Sequence, residues 1–135
     1  MSTQDNLDLA KQFLAKLGGG ASPEEIAQLF STDLVWQIPG DTGVLPWIGA
    51  KTGRAAVIDF VRQSSDMIER LSLNIQDVLA SEGRAVILGD LASRVKRTGK
   101  VIETEFAIVL TIQGKHITKF LMLEDSFATA KAARD

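Results

Sequence analysis

Alternating apolar and polar residues dominate the stretch from Ala85 to Phe127, and short glycine turns divide it. In its central segment one strand face is apolar and the other is polar. The apolar face holds Ile102, Phe106, Ile108, Leu110 and Ile112, and the polar face holds Glu103, Glu105 and Thr111. A period of two residues is typical of an antiparallel sheet with one face packed against a core. This stretch therefore restricts the chain to a fold built around long hairpins.

Four long strands are predicted from this pattern, at residues 72–80, 84–97, 101–113 and 116–125. The turns between them lie at 81–83, 98–100 and 113–115, and each contains the glycine that tight hairpins favour. An acidic pair, Glu124-Asp125, closes the last strand, and a short helix or a frayed tail is expected after Phe127.

Helical patterns and an irregular loop precede the hairpins. Apolar residues at three- and four-residue steps predict a first helix that ends at Gly18-Gly19-Gly20. Ser22 is a predicted N-cap for a short second helix, with Pro23 at its first position. A strand at 33–38, a loop at 39–53 and a third helix at 54–70 follow. Helices that cover one face of a curved sheet make an α+β domain.

Composition excludes several functional classes. The 135 residues suit a single domain, 1–135, that is large enough to bury its own core. With 15 basic and 17 acidic residues the formal charge is -2, so no basic stripe for nucleic acid is expected. The chain has no cysteine, and its single histidine, His116, argues against a histidine-rich metal site. We expect no cofactor.

The first nine residues are polar and include Asp5 and Asp8, which is unlike a signal peptide. No apolar run approaches the ~20 residues needed to span a bilayer. We therefore expect a cytoplasmic protein without a membrane partner.

Five segments carry a further pattern, at 35–40 (VWQIPG), 45–49 (LPWIG), 53–57 (GRAAV), 114–117 (GKHI) and 123–126 (LEDS). In this order and spacing they resemble the SnoaL-like proteins of the ketosteroid-isomerase-like superfamily, which share the nuclear transport factor 2 fold. The resemblance covers most of the chain. It implies a cone-shaped barrel in which a strongly bent antiparallel sheet packs against three helices around a pocket. It also implies a homodimer formed through the outer sheet face.

The superfamily contains isomerases, cyclases, epoxide hydrolases, dehydratases and non-catalytic binding proteins, and fold alone does not choose among them. The leading hypothesis is a pocket protein for a small apolar or polycyclic molecule, acting as a cofactor-free lyase, isomerase or hydrolase by carboxylate acid/base chemistry. The alternatives are a non-catalytic ligand-binding module and a dimeric interaction module.

Asp125 is the first catalytic candidate. It ends a strand whose predicted same-face neighbours are Ile117, Leu121 and Leu123. Burial beside apolar side chains raises the pKa of a carboxyl group, which can then act as an acid or base near neutral pH. In the resembled family an aspartate at this strand end often faces the pocket. The alternative is that Asp125 caps the C-terminal tail together with Ser126.

Asp90 is the second catalytic candidate, because it interrupts an apolar strand that disfavours a charge. In the resembled epoxide hydrolases a strand aspartate near this position works with a late aspartate and with an arginine two residues earlier. Asp90 and Asp125 match the two acids, but Leu88 occupies the position of the arginine. The alternative is a β-bulge at Gly89 that turns Asp90 to solvent.

Ketosteroid isomerase itself uses a tyrosine, an aspartate base and a protonated aspartate. The resemblance places Phe13, Ile38 and Phe106 at those three positions. The chain contains no tyrosine, so we expect no steroid isomerase activity.

Three aromatic residues, Trp36, Trp47 and Phe60, are candidate walls of the pocket, since ligand sites are mostly apolar. Ordinary core packing is the alternative for all three. Arg54 begins the predicted third helix, where the helix dipole disfavours a cation. It is therefore a candidate for binding an acidic ligand or for a structural partner.

Overall fold

The computed structural model describes residues 2–135, which form four helices and six strands. The helices are α1 (Thr3–Gly18), α2 (Pro23–Ala27), α3 (Ala55–Met67) and α4 (Ser126–Ala133). The strands are β1 (Phe30–Ile38), β2 (Gly49–Thr52), β3 (Ile68–Ala80), β4 (Arg84–Val95), β5 (Val101–Gln113) and β6 (His116–Glu124).

All six strands belong to one sheet in the order β2-β1-β6-β5-β4-β3. Neighbouring strands are antiparallel except β1 and β6, which run parallel. Within residues 2–135 the edge strands β2 and β3 do not pair with each other, so the sheet is curled but not closed. The predicted α+β class is confirmed. The structure adds a parallel strand pair to that prediction, and the C-terminal tail forms the short helix that was one of its two expected states.

Polar residues fix the starts of the first two helices, and the cap of the second, Ser22, was predicted from the sequence. The Ser2 hydroxyl accepts a hydrogen bond from the Asp5 amide at 3.0 Å, and the Asp5 carboxylate accepts one from the Ser2 amide. These bonds lower the pKa of Asp5. Ser22 caps α2 in the same way through the amide of Glu25. Both caps satisfy amides that have no partner inside a helix.

Two boundaries differ from the prediction in ways that matter for the cavity. The third helix ends at Met67 rather than Arg70, and β3 begins at once with Ile68. Arg70 therefore lies on a strand, opposite Ser93 of β4. The predicted loop at 39–53 contains the short strand β2, which pairs with the end of β1.

A register shift in β6 decides which of its side chains face inward. On β5, Thr111 pairs with Lys119 and Ile112 pairs with Ile117, so β6 has one extra residue between the two pairs. Such a bulge reverses the alternation of faces along a strand. Beyond it, Phe120, Met122 and Glu124 share the inner face of the sheet, opposite Leu110, Ile108 and Phe106 respectively.

Aromatic side chains form the centre of the core between the helices and the sheet. Trp36 is 1% exposed and stacks on Phe120, with ring centroids 4.3 Å apart and planes at 8°. Phe13 of α1 and Phe60 of α3 contact the same group from above. The helices are thereby fixed over the inner face. Among the described residues no helix has the length and apolar character required to cross a membrane.

Candidate functional site

A cavity of about 110 Å³ lies between the inner face of the sheet and the helices. Its walls come from α1, the loop before β2, α3, the four long strands and α4. Most of its lining is apolar. The large side chains that line it include Phe13, Leu45, Trp47, Phe60, Leu73, Leu91, Phe106, Ile108, Phe120 and Met122.

Four side chains with acidic, basic or hydroxyl groups interrupt this lining: Arg70, Ser93, Glu124 and Thr129. They lie in two pairs. Arg70 and Ser93 are cross-strand neighbours on β3 and β4. Glu124 ends β6, and the Thr129 hydroxyl of α4 lies 3.4 Å from its Oε2. The cavity therefore has one basic region and one acidic region, with apolar walls between them.

Glu124 is an acid whose surroundings raise its pKa. Burial against the apolar lining raises its pKa above the ordinary value of 4.5, and the neighbouring charge of Asp125 raises it further. A hydrogen bond from Thr129 lowers the pKa, by less than burial raises it but by more than the charge of Asp125 does. Within residues 2–135 it is the one carboxylic acid that lines the cavity.

The Thr129 hydroxyl lies close to two acceptor oxygens. It is 3.1 Å from the Asp125 carbonyl oxygen and 3.4 Å from Glu124 Oε2. A hydroxyl has one proton, so it cannot donate fully to both oxygens. The longer hydrogen bond to Glu124 therefore opposes the effect of burial on its pKa only in part.

Asp125 lies next to this site but faces away from the cavity. Its carboxylate accepts a hydrogen bond from the Ala128 amide at 3.0 Å and so caps α4. Its side chain is exposed and is not part of the cavity lining. The predicted alternative of a capping role describes this geometry. The bulge in β6 is the reason: it places Glu124, and not Asp125, on the inner face.

Asp90 lies on the outer face of the sheet, where it accepts hydrogen bonds from Asn74 at 3.0 Å and from Gln76 at 2.8 Å. The structure does not bring it together with Asp125 or with the cavity. No bulge occurs at Gly89, since β4 keeps continuous register with β5 through this position. The shift lies instead on β3, between Ile75 and Asp77.

Two of the four predicted ligand-binding residues line the cavity, and the other two do not. Trp47 and Phe60 line the cavity, and their rings meet edge to face at 5.8 Å. Trp36 is a core residue whose indole N–H donates to the Trp47 carbonyl at 3.1 Å. Arg54 donates from Nε to the Phe30 carbonyl at 2.9 Å, which is a structural role.

Two of the positions compared with ketosteroid isomerase also line the cavity. Phe13 and Phe106 present apolar rings there, and Phe106 lies directly opposite Glu124 in the sheet. Ile38 is buried outside the lining. The described residues contain no group of three or more His, Asp or Glu side chains arranged to hold a metal ion.

Arg70, Ser93, Glu124 and Thr129 were not predicted as site residues. Glu124 was visible in the sequence as half of an acidic pair, but the alternation of β6 favoured its neighbour. Arg70 was placed at the end of a helix.

Comparison with known proteins agrees with this architecture. A search of curated proteins found no match. An NTF2-like protein from Burkholderia xenovorans LB400 is 27% identical, with a TM-score of 0.86 and 99% of each chain covered. An NTF2-like protein from Burkholderia thailandensis E264 is 15% identical, with a TM-score of 0.84 over 100% of each chain.

A third solved structure is that of a protein with a ketosteroid isomerase-like fold from Catenulispora acidiphila DSM 44928, in complex with trimethylamine. It is 19% identical, with a TM-score of 0.66, and the match covers 84% of this chain and 82% of that one. The family model for the SnoaL-like domain matches residues 10–120, which confirms the resemblance predicted from the sequence. The chain therefore belongs to the SnoaL-like family.

Proposed function

We propose that this protein binds a small apolar molecule in the cavity and transfers a proton within it through the Glu124 carboxyl group. The observation that carries the proposal is a single carboxylic acid at one end of an apolar cavity, with its pKa raised by burial. A raised pKa brings the group closer to neutral pH, where a carboxyl can exchange protons in either direction.

The size of the cavity favours a ligand of about one aromatic ring over a polycyclic one. Its volume is about 110 Å³. For comparison, an engineered apolar cavity of about 150 Å³ binds benzene. The aromatic rings of Trp47, Phe60 and Phe106 are suitable walls for a flat molecule of this size.

An isomerase is the reaction class that this arrangement supports best. One carboxylate can remove a proton from a carbon next to a carbonyl group and return it to another atom of the same molecule. A hydrolase of the two-acid type needs a second carboxyl near the first. Asp90 and Asp125, the two other acids considered, lie outside the lining. A cofactor-free acid/base mechanism in this cavity therefore depends on Glu124 alone.

Hydrogen–deuterium exchange at carbon tests the proposal without knowledge of the natural substrate. Small enolisable aryl ketones and aryl keto acids, including phenylpyruvate, are incubated with the protein in D₂O and followed by proton NMR. We expect the wild type to accelerate exchange next to the carbonyl group. Replacing Glu124 by Gln is expected to reduce this acceleration by about 10²-fold or more, the usual contribution of a positioned acid or base.

Asp125→Asn is the matched control. Asparagine caps helices as well as aspartate does, so this variant removes the neighbouring carboxylate while α4 keeps its cap. It is expected to retain exchange activity. If Asp125→Asn lost exchange activity and Glu124→Gln kept it, the catalytic residue would be Asp125, and our proposal would be contradicted.

The second candidate function is non-catalytic binding of the same class of ligand. It is favoured by how few polar groups the cavity offers to a reacting carbonyl oxygen: beside Glu124 lie only the Thr129 hydroxyl and, at the other end, Ser93 and Arg70. Equal ligand affinity in the wild type and Glu124→Gln, with no exchange by either, would select this function.

We further propose that the protein forms a homodimer through the outer face of the sheet. Two rows of apolar side chains cross this face, Leu79-Val86-Val109-Leu121 and Leu88-Ala107-Leu123. Leu79 is 54% exposed and Leu123 is 45% exposed. Contiguous apolar side chains in contact with water favour burial against a second copy.

A further inference from the structure

The inner cavity adjoins a second, outer pocket. The outer pocket has a volume of about 320 Å³ and lies between the end of α1, the segment after it, α2, α3 and the beginning of β3. Four residues line both spaces: Leu17, Phe60, Ile68 and Arg70. These residues form the boundary between the two spaces, and a ligand that extends from the inner cavity toward the helices passes them.

Arg70 is the single charged residue at that boundary. It is also the one charged side chain in the lining of the outer pocket, and the one cation in the lining of the inner cavity, among residues 2–135. Its position on β3 opposite Ser93 places it on the inner face, where the helices leave its guanidinium accessible. A cation in an otherwise uncharged boundary selects for an anionic group on whatever binds there.

The guanidinium of Arg70 has no partner within the described chain. Four other arginines form ion pairs with carboxylates: Arg62 with Glu24, Arg94 with Glu69, Arg97 with Asp135 and Arg134 with Asp41. Arg54 donates to a backbone carbonyl. By contrast, no hydrogen bond or ion pair within residues 2–135 involves the side chain of Arg70 or of Arg84, and of these two only Arg70 lines a pocket. Its neighbour Glu69 faces the opposite side of the sheet, where it pairs with Arg94.

Glu124 does not neutralise Arg70 either. The two residues lie on β6 and β3, three strand spacings apart, which separates their Cα atoms by on the order of 10 Å or more. The Arg70 charge is not among the causes that displace the pKa of Glu124. The two polar regions of the cavity are therefore independent.

We propose that the ligand of this site is a small apolar monocarboxylate, whose carboxylate binds Arg70 while its apolar body occupies the inner cavity. Guanidinium and carboxylate groups match geometrically through two parallel hydrogen bonds, and one cation balances one negative charge. The Ser93 hydroxyl lies beside Arg70 and offers a further donor. This inference rests on the proposed function, since it specifies the chemistry of the molecule that reaches Glu124.

The test compares two nearly isosteric probes, phenylacetate and the neutral 2-phenylethanol, by NMR titration near pH 7. Shifts of the Leu73 and Ile108 methyl signals report occupancy of the inner cavity. We expect the wild type to bind phenylacetate about tenfold more tightly than the alcohol, as for a partly exposed hydrogen bond to a charged group. Arg70→Gln is expected to abolish this preference and to leave the affinity for the alcohol unchanged. Arg70→Lys, which keeps the charge without the paired donors, is expected to show an intermediate preference.

Arg84→Gln is the matched control, because Arg84 is also exposed on the sheet and contributes to neither space. It is expected to bind both probes as the wild type does. Equal affinities for the two probes, unaffected by Arg70→Gln, would overturn the carboxylate inference and leave the cavity as a site for neutral molecules. Failure of both probes to shift the methyl signals would contradict ligand binding in the cavity itself, and the carboxylate inference with it.

Discussion

Glu124 and Asp125 are adjacent acids with opposite environments. Asp125 is exposed and accepts a hydrogen bond from the Ala128 amide at the start of α4. Glu124 is removed from water by the apolar lining, and the charge of Asp125 adds repulsion, so its neutral form is favoured. Neighbouring carboxyl groups with different environments can take different chemical roles. At this strand end Asp125 caps a helix, and Glu124 is the residue to which we assign proton transfer in the proposed function.

Glu124 is expected to make the stability of the protein depend on pH. Its folded-state pKa is raised above 4.5, so the folded protein holds this proton more tightly than the unfolded chain does. The stability provided by the neutral carboxyl is complete below about pH 4.5 and is lost as pH rises through the folded-state pKa. Each pH unit of that displacement corresponds to about 1.4 kcal/mol.

The measurement is urea unfolding of the wild type and Glu124→Gln between about pH 4 and pH 8. Glutamine does not titrate, so the stability of the variant relative to the wild type is expected to increase with pH. Contributions from other titrating groups, including Asp5, largely cancel in this difference. A difference that stays constant, or that falls as pH rises, would show that Glu124 is not held neutral by its surroundings.

At the scale of strands and helices, local patterns predict the elements well and the inward-facing residues less well. The alternation on β5 gives the bounds of Val101–Gln113 and both of its faces correctly, because that strand pairs regularly with β4. The same alternation on β6 fails beyond Thr118, because a bulge depends on pairing with another strand and leaves no local signature. The choice of Asp125 over Glu124 follows from this one residue.

Arg70 illustrates a second limit. The apolar positions Met67 and Ile68 continue the helical spacing of α3, so the sequence predicts a longer helix. The chain instead changes directly from helix to strand at Ile68, where β3 begins to pair with β4 through Ile68 and Val95. Such a change is decided by long-range pairing. The position of Arg70 at the boundary between the two pockets depends on this change, so it was not predictable from local spacing.

Gly89 allows β3 and β4 to curl closely around the cavity. A Cβ atom at this position would lie 2.2 Å from the Asn74 carbonyl oxygen and 2.8 Å from the Phe106 ring. Both distances are far below van der Waals contact, and the first involves backbone that cannot rotate away. Gly89→Ala is therefore expected to destabilise the protein by about 1–3 kcal/mol or more, as overpacking does.

Chemical denaturation measures this loss, and Gly83→Ala is its control. Gly83 lies in the hairpin turn between β3 and β4, and a Cβ atom there would have no heavy atom within 4 Å. This control is expected to change the free energy of unfolding little. Similar stabilities of the two variants would show that the sheet is not as tightly curled at Gly89 as the structure has it.

Considered as a whole, the molecule presents different features on the two faces of one sheet. The inner face and the helices enclose the cavity, whose boundary residues lie near the ends of α1 and α3. The outer face carries the apolar rows that we propose as a dimer interface. Acidic residues lie at the other end of that face, where Asp90 of β4 is directly opposite Glu105 of β5. Association through the apolar rows would leave the boundary between the two pockets uncovered.

Charges placed in the apolar rows are expected to prevent dimer formation. The double variant Leu79→Lys, Leu123→Lys puts like charges in two exposed positions of the proposed interface, where burial would leave them unpaired. Light scattering at micromolar concentration is expected to give a dimer mass for the wild type and a monomer mass for the variant. Because the altered side chains face away from the cavity, the variant is expected to keep its affinity for cavity ligands.

Val101→Lys is the control for this experiment. Val101 is 40% exposed on the same face, but it lies beyond Glu103 and outside the apolar rows. We expect it to remain dimeric. A monomeric wild type would remove the dimer from our proposal, and a dimeric double variant would assign the interface to another surface. Neither result would alter the position of Glu124, because the sheet separates it from the outer face.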